Sequence, residues 1–183
     1  MGVKSATAFG LTSGLEPAMV FLTTQTFSGV TSVSLPNNTF TDTYDNYLLF
    51  MTVNANSADT QIRMKMRASG TDFSGSDYNF AYARARSTAQ SIDTGGSSNT
   101  SFYLGEVESA FNGRAAYKMD IISPKLLDRT RYFGIAVDSD TASNYAAGTV
   151  GGVLNNALAY DSVTVIADTG TFGGFYSVYG YNK

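Results

Sequence analysis

Residues 62–67 alternate between apolar and cationic side chains at every position. The apolar residues are Ile62, Met64 and Met66, and the cationic residues that alternate with them are Arg63, Lys65 and Arg67. Side chains of a strand point to opposite faces in turn, so the pattern fits a strand with one buried face, whereas a helix would scatter the apolar residues around its axis. The segment from 60 to 69 therefore predicts a β protein whose sheets cover a core.

The same period recurs further along the chain. Between residues 114 and 122 it predicts four inward side chains, Ala115, Tyr117, Met119 and Ile121. In residues 131–137 it places Phe133, Ile135 and Val137 on one face. The turn residues Asp138-Ser139-Asp140 are expected to end that strand, and residues 87–100 are expected to form a surface loop.

Glycine marks two further features. Ser28-Gly29 separates two β-branched segments, 20–27 and 30–35, and predicts a hairpin with a two-residue turn. In the strand at residues 145–153, Gly148, Gly151 and Gly152 indicate bulges or the close approach of another backbone.

A polar corner precedes an apolar segment at residues 40–53, which predicts a turn feeding a buried central strand. The residues expected to form the corner are Phe40, Tyr44, Asp45, Asn46 and Tyr47. Asp45 and Asn46 can bond the backbone N–H groups that follow them, and the aromatic rings can pin the corner to the core.

About ten or eleven such segments, with no helical period, predict a single antiparallel β-sandwich of jelly-roll type over residues 20–183. Residues 1–19 show neither period and are expected to form an extended N-terminal arm, with Phe9, Leu11 and Leu15 as anchors against a neighbouring protein. A frayed terminus is the alternative.

Composition excludes several classes of function. The chain of 183 residues has no cysteine and no histidine, which removes disulfides, thiolate metal sites and His-based catalytic triads. A net charge of -3 argues against nucleic acid as a partner. The apolar runs are too short to span a membrane, and the N-terminus lacks a signal-peptide core, so the protein is expected to stay where it is made.

Glu106 and Glu108 are the one enzyme-like arrangement. Two positions apart on a strand, their carboxylates would lie about 6–7 Å apart, a separation compatible with a glycosidase pair. A solvated strand face is the favoured interpretation. The acidic segments 72–77 and 138–140 lack the spacing of a calcium loop, so no catalytic residue, cofactor or metal ligand is predicted.

Two surfaces are candidates for protein contacts. Five of the twelve basic residues would form one docking stripe if their strands pair: Arg63, Lys65, Arg67, Arg84 and Arg86. Ion pairing with nearby carboxylates, or simple solvation, is the alternative. The glycine-rich strand is expected to make a subunit contact through Tyr145, Val150, Val153 and Leu154 in a homo-oligomer, a trimer being expected.

Four segments together carry a resemblance to a known family: residues 23–27, the Tyr44-Asp45-Asn46-Tyr47 motif, residues 63–70 and the ending Gly173–Tyr181. On these the chain resembles small β-sandwich virion surface proteins of tailed bacteriophages, especially phages of aquatic bacteria. The resemblance covers roughly residues 20–183. It implies a structural or adhesive role in the virion, assembly in the host cytoplasm and no catalytic residues.

Because the chain has only a short arm and no shaft, the resemblance favours a capsid decoration, cement or head-protrusion protein that contacts major capsid or tail proteins. A tail-fibre or receptor-binding adhesin that recognises a host surface glycan is the alternative. A glycosidase using Glu106 and Glu108 is a remote one.

Overall fold

The computed structural model describes residues 18–86, 90–91, 95–109, 114–141 and 144–181. Within these residues there are fourteen strands and no α-helix, so the all-β prediction is confirmed. The strands are β1 (Met19–Val30), β2 (Ser32–Ser34), β3 (Asn46–Asn56), β4 (Thr60–Ala68), β5 (Thr71–Asp72), β6 (Tyr78–Arg86), β7 (Gln90–Ser91), β8 (Gly96–Asn99), β9 (Phe102–Val107), β10 (Ala115–Ile122), β11 (Arg131–Thr141), β12 (Asn144–Leu154), β13 (Ser162–Ala167) and β14 (Phe172–Tyr181). The described part of the chain contains no helix that is long and apolar enough to cross a membrane.

Two antiparallel sheets pack face to face. In the larger sheet the order is β1-β14-β3-β10-β11-β12-β6-β7, and β8 also pairs with β6. In the smaller sheet it is β2-β13-β4-β5, and β9 also pairs with β4. The prediction of an antiparallel β-sandwich is confirmed, and its jelly-roll subtype stays a prediction.

The core lies between the sheets and is built from the residues that the alternation placed inward. Ile62, Met64 and Met66 of β4 are buried on one side. On the other side Leu49 of the central strand β3 pairs with Met119 of β10, and both are buried. The four inward residues predicted in β10 are all buried, Ala115, Tyr117, Met119 and Ile121.

The predicted corner before β3 is present. The ring of Tyr47 lies 4.5 Å from that of Phe40 and 6.1 Å from that of Tyr44, measured between centroids. Its hydroxyl donates to the Thr41 carbonyl at 2.8 Å and accepts from the Thr41 N–H at 2.7 Å. The Ser123 N–H contacts both the Asp45 carbonyl (3.0 Å) and Asn46 Oδ1 (3.3 Å), so the Asn46 side chain ties the corner to a distant loop.

The predicted hairpin at Ser28-Gly29 is wrong. Strand β1 runs through these residues to Val30 and pairs with β14, whereas β2 pairs with β13 in the other sheet. Gly29 has a φ of 64°, and the register with β14 shifts between Phe27 and Val30. The glycine therefore makes a bulge that bends one strand, and the chain crosses between the sheets after it.

Two further segments contain strand where a turn or a loop is predicted. Strand β11 continues through residues 138–140 to Thr141, and Asp138 and Ser139 are buried. A buried cation on another strand holds Asp138 inside, which a local turn propensity cannot anticipate. In the segment 87–100, the described residues include β7 and β8, both paired with β6.

Candidate functional site

The outward side of β11 is apolar from Phe133 to Val137. Phe133, Ile135 and Val137 are 55%, 52% and 51% exposed. The inward residues of the same strand are the less hydrophobic set: Tyr132, Gly134, Ala136 and Asp138. A single exposed apolar side chain is ordinary, but a row of three in the middle of a sheet is typical of a contact surface.

The neighbouring strands extend this row into a flat surface. In register, β11 pairs with β12, and β12 pairs with β6. The outward residues of the three strands, which we call the outer apolar face, are Phe133, Ile135 and Val137, then Gly151, Thr149 and Ala147, then Ala81, Ala83 and Ala85. Because the two flanking strands carry small side chains, a shallow depression of about 440 Å³ lies beside Phe133.

Charged and aromatic residues flank the other side of β11. Lys118 of β10 pairs with Ile135, and Asp120 pairs with Phe133. Beyond them, the rings of Phe50 and Phe175 lie 6.4 Å apart and are partly exposed. The apolar row thus has one cation and one anion directly beside it.

A buried arginine occupies the inner side of β6. Arg84 is 5% exposed. Its Nη1 donates to the Tyr103 hydroxyl at 2.8 Å and to Glu106 Oε2 at 3.1 Å, and its Nη2 donates to Asp138 Oδ1 at 2.8 Å. Since Tyr103 and Glu106 belong to β9, the arginine links the two sheets.

The electrostatics of this cluster favour a charged arginine. Burial alone would lower the pKa of Arg84, but Asp138, Tyr103 and Glu106 raise it above its ordinary value. Burial raises the pKa of the Asp138 carboxyl, and Arg84 opposes that shift. The second carboxylate oxygen of Asp138 accepts from the Glu106 backbone N–H at 2.9 Å. Both ends of the ion pair are therefore also hydrogen-bonded, as a buried pair requires.

A cavity of about 490 Å³ opens where β4 begins and β9 ends. We call it the acidic cavity, and it is lined by Asp59, Thr60, Gln61, Glu106, Val107, Glu108, Asp168 and Thr169. Asp168 accepts from Arg63 Nε at 2.7 Å, and Glu106 accepts from Arg84. Asp59 Oδ1 accepts from the N–H and the hydroxyl of Ser109, both at 2.9 Å, which lowers the pKa of Asp59.

Glu108 differs from the other carboxylates of the cavity. It is 6% exposed, and burial, followed by the charges of Asp59 and Glu106, raises its pKa. The interpretation of Glu106 and Glu108 as a solvated strand face is therefore wrong for Glu108, which follows the end of β9 and lines the cavity. Among the described residues no three His, Cys, Asp or Glu side chains are grouped to hold a metal ion.

The predicted basic docking stripe is wrong. Strands β4 and β6 lie in different sheets, so their cationic residues do not share a face. Arg63 and Arg67 are paired with Asp168 and Asp72, at 2.7 and 3.0 Å, and Arg84 points inward. The other two members, Lys65 on β4 and Arg86 on β6, are half-buried. Pairing with nearby carboxylates, the alternative interpretation, describes the three arginines.

The predicted subunit contact is partly wrong. Val150 and Leu154 are buried in the core. Tyr145 is exposed and Val153 is half-buried, so a contact at these two stays a prediction. The predicted anchors of the arm, Phe9, Leu11 and Leu15, lie outside the described residues.

Sequence reasoning missed the outer apolar face and the acidic cavity. The sequence shows that Phe133, Ile135 and Val137 share one face of a strand. It does not show whether that face is turned to the core or to solvent. The cavity joins residues from three separate segments, 59–61, 106–108 and 168–169, which no local pattern connects.

The fold and these surfaces define an all-β domain of two packed antiparallel sheets with an apolar outer face. Comparison with protein-family models, with curated proteins and with solved structures finds no match to the chain.

Proposed function

We propose that this protein is a non-enzymatic structural component of a bacteriophage virion that assembles with copies of itself through the outer apolar face. The observation that supports assembly is the orientation of β11, whose more hydrophobic side faces outward. The virion assignment rests on the resemblance carried by the Tyr44–Tyr47 motif and the C-terminal strand. A capsid decoration, cement or head-protrusion protein is the role we favour.

The energetics favour covering this face. Fully burying a Val, Ile or Phe side chain contributes ~1.5–3 kcal/mol, so the half of each side chain that remains exposed in β11 could contribute ~1 kcal/mol. The three strands of the outer apolar face, β11, β12 and β6, span ~10 Å at ~4.8 Å per strand. One partner of a standard interface contributes ~800 Å², so neighbouring strands of the same sheet would also enter the contact.

A second copy of the chain is the occupant that the charges favour. Lys118 and Asp120 lie beside the apolar row, so the face carries no net charge from this pair. When two such faces meet, Lys118 of one copy can pair with Asp120 of the other. Two like faces that meet in this way form a two-fold contact, which favours a dimer. The trimer expected from the sequence would instead require the face to contact a different surface of the next copy.

Hydroxyl-radical footprinting tests the assembly directly. Phe133 and Ile135 should be protected from oxidation at high protein concentration and oxidised after dilution. Leu127 is the matched control, because it is 78% exposed and lies outside the face, and its oxidation should not depend on concentration. Equal oxidation of Phe133 at all concentrations would contradict self-assembly.

The virion role is tested by locating the protein on particles. Immunogold labelling or cryo-electron microscopy should show regular copies on the capsid exterior. Labelling confined to the tail tip would favour the adhesin alternative, and binding of a host surface glycan would support it further. Particles without label would remove the virion proposal.

A further inference from the structure

We propose that the acidic cavity binds an organic cation that carries two or more ammonium groups, of which a linear polyamine is the simplest. The inference is independent of the assembly proposed above. It depends on the charge balance of the cavity, on one buried carboxylate and on the spread of the acidic residues.

The charge balance of the cavity leaves two carboxylates without a cation. Arg63 pairs with Asp168 at 2.7 Å, and Arg84 pairs with Glu106 at 3.1 Å but also with the buried Asp138 at 2.8 Å. Within the described residues neither Asp59 nor Glu108 forms an ion pair. The cavity is therefore negative by at least two charges when both groups are ionised.

Glu108 is the second, independent observation. As a whole residue Glu108 is only 6% exposed, and it lines the cavity. In the described part of the chain its carboxylate has no hydrogen-bond donor, although its backbone N–H donates to Ser139 Oγ at 3.2 Å. A cationic N–H donor in the cavity could pair with this carboxylate and would oppose the rise in pKa that burial causes.

The spread of the carboxylates favours an extended organic cation over a metal ion. No three of the described acidic side chains are close enough to hold one ion. A volume of about 490 Å³ also exceeds what a single ion needs and leaves room for several methylene groups. Each ammonium group offers three donors, and Val107 supplies apolar wall for the methylenes between them.

Binding should be linked to protons. Glu108 faces the acidic groups Asp59 and Glu106, and burial with these neighbours raises its pKa. An ammonium beside Glu108 favours its ionised form, so binding should release protons and should weaken as the pH falls. The nearby cations, Arg63 and Arg84, remain paired to Asp168 and Glu106 and do not compete.

Isothermal titration calorimetry at low salt with spermidine, butylamine and Ca²⁺ tests the proposal. Spermidine should bind at one equivalent and more tightly than butylamine, and its affinity should fall from pH 7 to pH 5. Glu108→Gln, and separately Asp59→Asn, should weaken binding about tenfold or more. Asp128→Asn is the control, because Asp128 is an exposed carboxylate near Arg131, and it should bind as the parent does.

Thermal melting confirms that each variant is folded before titration. Four outcomes would overturn the proposal: no heat from spermidine, unchanged affinity in both cavity variants, butylamine binding as tightly as spermidine, or Ca²⁺ displacing spermidine at one equivalent. The last outcome would assign the cavity to a metal ion.

Discussion

Asp138 of β11 and Arg84 of β6 form a buried ion pair with 2.8 Å between Asp138 Oδ1 and Arg84 Nη2, across the intervening strand β12. The residues of β12 that pair with them are small, Ala146 with Asp138 and Gly148 with Arg84, which leaves space for the pair. Because strand side chains alternate, an inward Asp138 requires an outward Val137 and, two and four residues earlier, Ile135 and Phe133. The burial of Asp138 in this ion pair therefore places three apolar residues of β11 on the outer face.

Breaking this pair should destabilise the fold. Arg84→Met leaves the buried Asp138 without its cation and should lower the free energy of unfolding by ~3–5 kcal/mol. Adding Asp138→Asn should recover part of that loss, because the uncompensated charge is removed. Urea unfolding measures both effects. Asp128→Asn, which removes an exposed pair, should change stability by less than ~1 kcal/mol, and an equal loss in that control would contradict the assignment.

Glu108→Gln should stabilise the protein at neutral pH in the absence of ligand. The pKa of Glu108 is raised in the folded state above its ordinary 4.5, so the folded protein holds this proton more tightly than the unfolded chain does. The contribution of the Glu108 carboxyl to the free energy of unfolding is therefore fully present below pH 4.5. It is lost as the pH rises through the folded-state pKa. Melting temperatures of the variant and the parent should differ most at pH 7–8 and converge in acid. A variant that is less stable at pH 7 would show that the carboxylate has a stabilising partner.

Gly148→Ala should destabilise the contact of β12 with β6. A Cβ at Gly148 would lie 2.0 Å from the Ala83 carbonyl oxygen, which belongs to the backbone and cannot rotate away. We expect a loss of ~1–3 kcal/mol, as for other overpacked sites. Gly151→Ala in the same strand is the control, since its nearest atom is 3.2 Å away and a smaller loss follows. If urea unfolding showed equal losses of stability for the two variants, the replacement of glycine in this strand, and not the close approach at Gly148, would explain the effect.

Bacterial surface polysaccharides should not be cleaved by this protein. Glu106 is bound to Arg84, and the described residues that line the cavity it shares with Glu108 include no aromatic side chain on which a sugar ring could stack. Reducing-end assays on a panel of polysaccharides measure this. Turnover that disappears in Glu106→Gln would instead support the glycosidase alternative.

The sequence predicts the fold well where charge marks the solvent face. In β4 the cationic positions identify the outer side, and Ile62, Met64 and Met66 are buried as predicted. In β11 both faces hold apolar residues, and the residue that decides between them is Asp138, whose partner Arg84 is 54 positions away. A local pattern cannot show such a partner, which explains why the outward direction of Phe133 and the inward direction of Arg84 are both missed.

Local sequence patterns do not predict the acidic cavity, because the order of the strands in the sheet brings its lining residues together. Strands β4 and β9 pair across the region in which Gln61 lies opposite Glu106, and Asp168 reaches the same place after β13. These contacts depend on sheet order, which the sequence does not show. The docking stripe required β4 to pair with β6, and the two strands lie in different sheets. The alternation of residue types in the sequence therefore predicts where strands form, but it does not predict which strands pair.

Multi-angle light scattering after size-exclusion chromatography tests the central claim that the outer apolar face joins copies of the chain. The parent protein should elute as a homo-oligomer, a dimer if like faces meet, and the double variant Phe133→Ser, Ile135→Ser should elute as a folded monomer of about 19.5 kDa. Leu127→Ser, which changes an exposed apolar residue outside the face, should keep the oligomer. A parent protein that is monomeric at every concentration, or a double variant that keeps the same oligomer, would contradict the account.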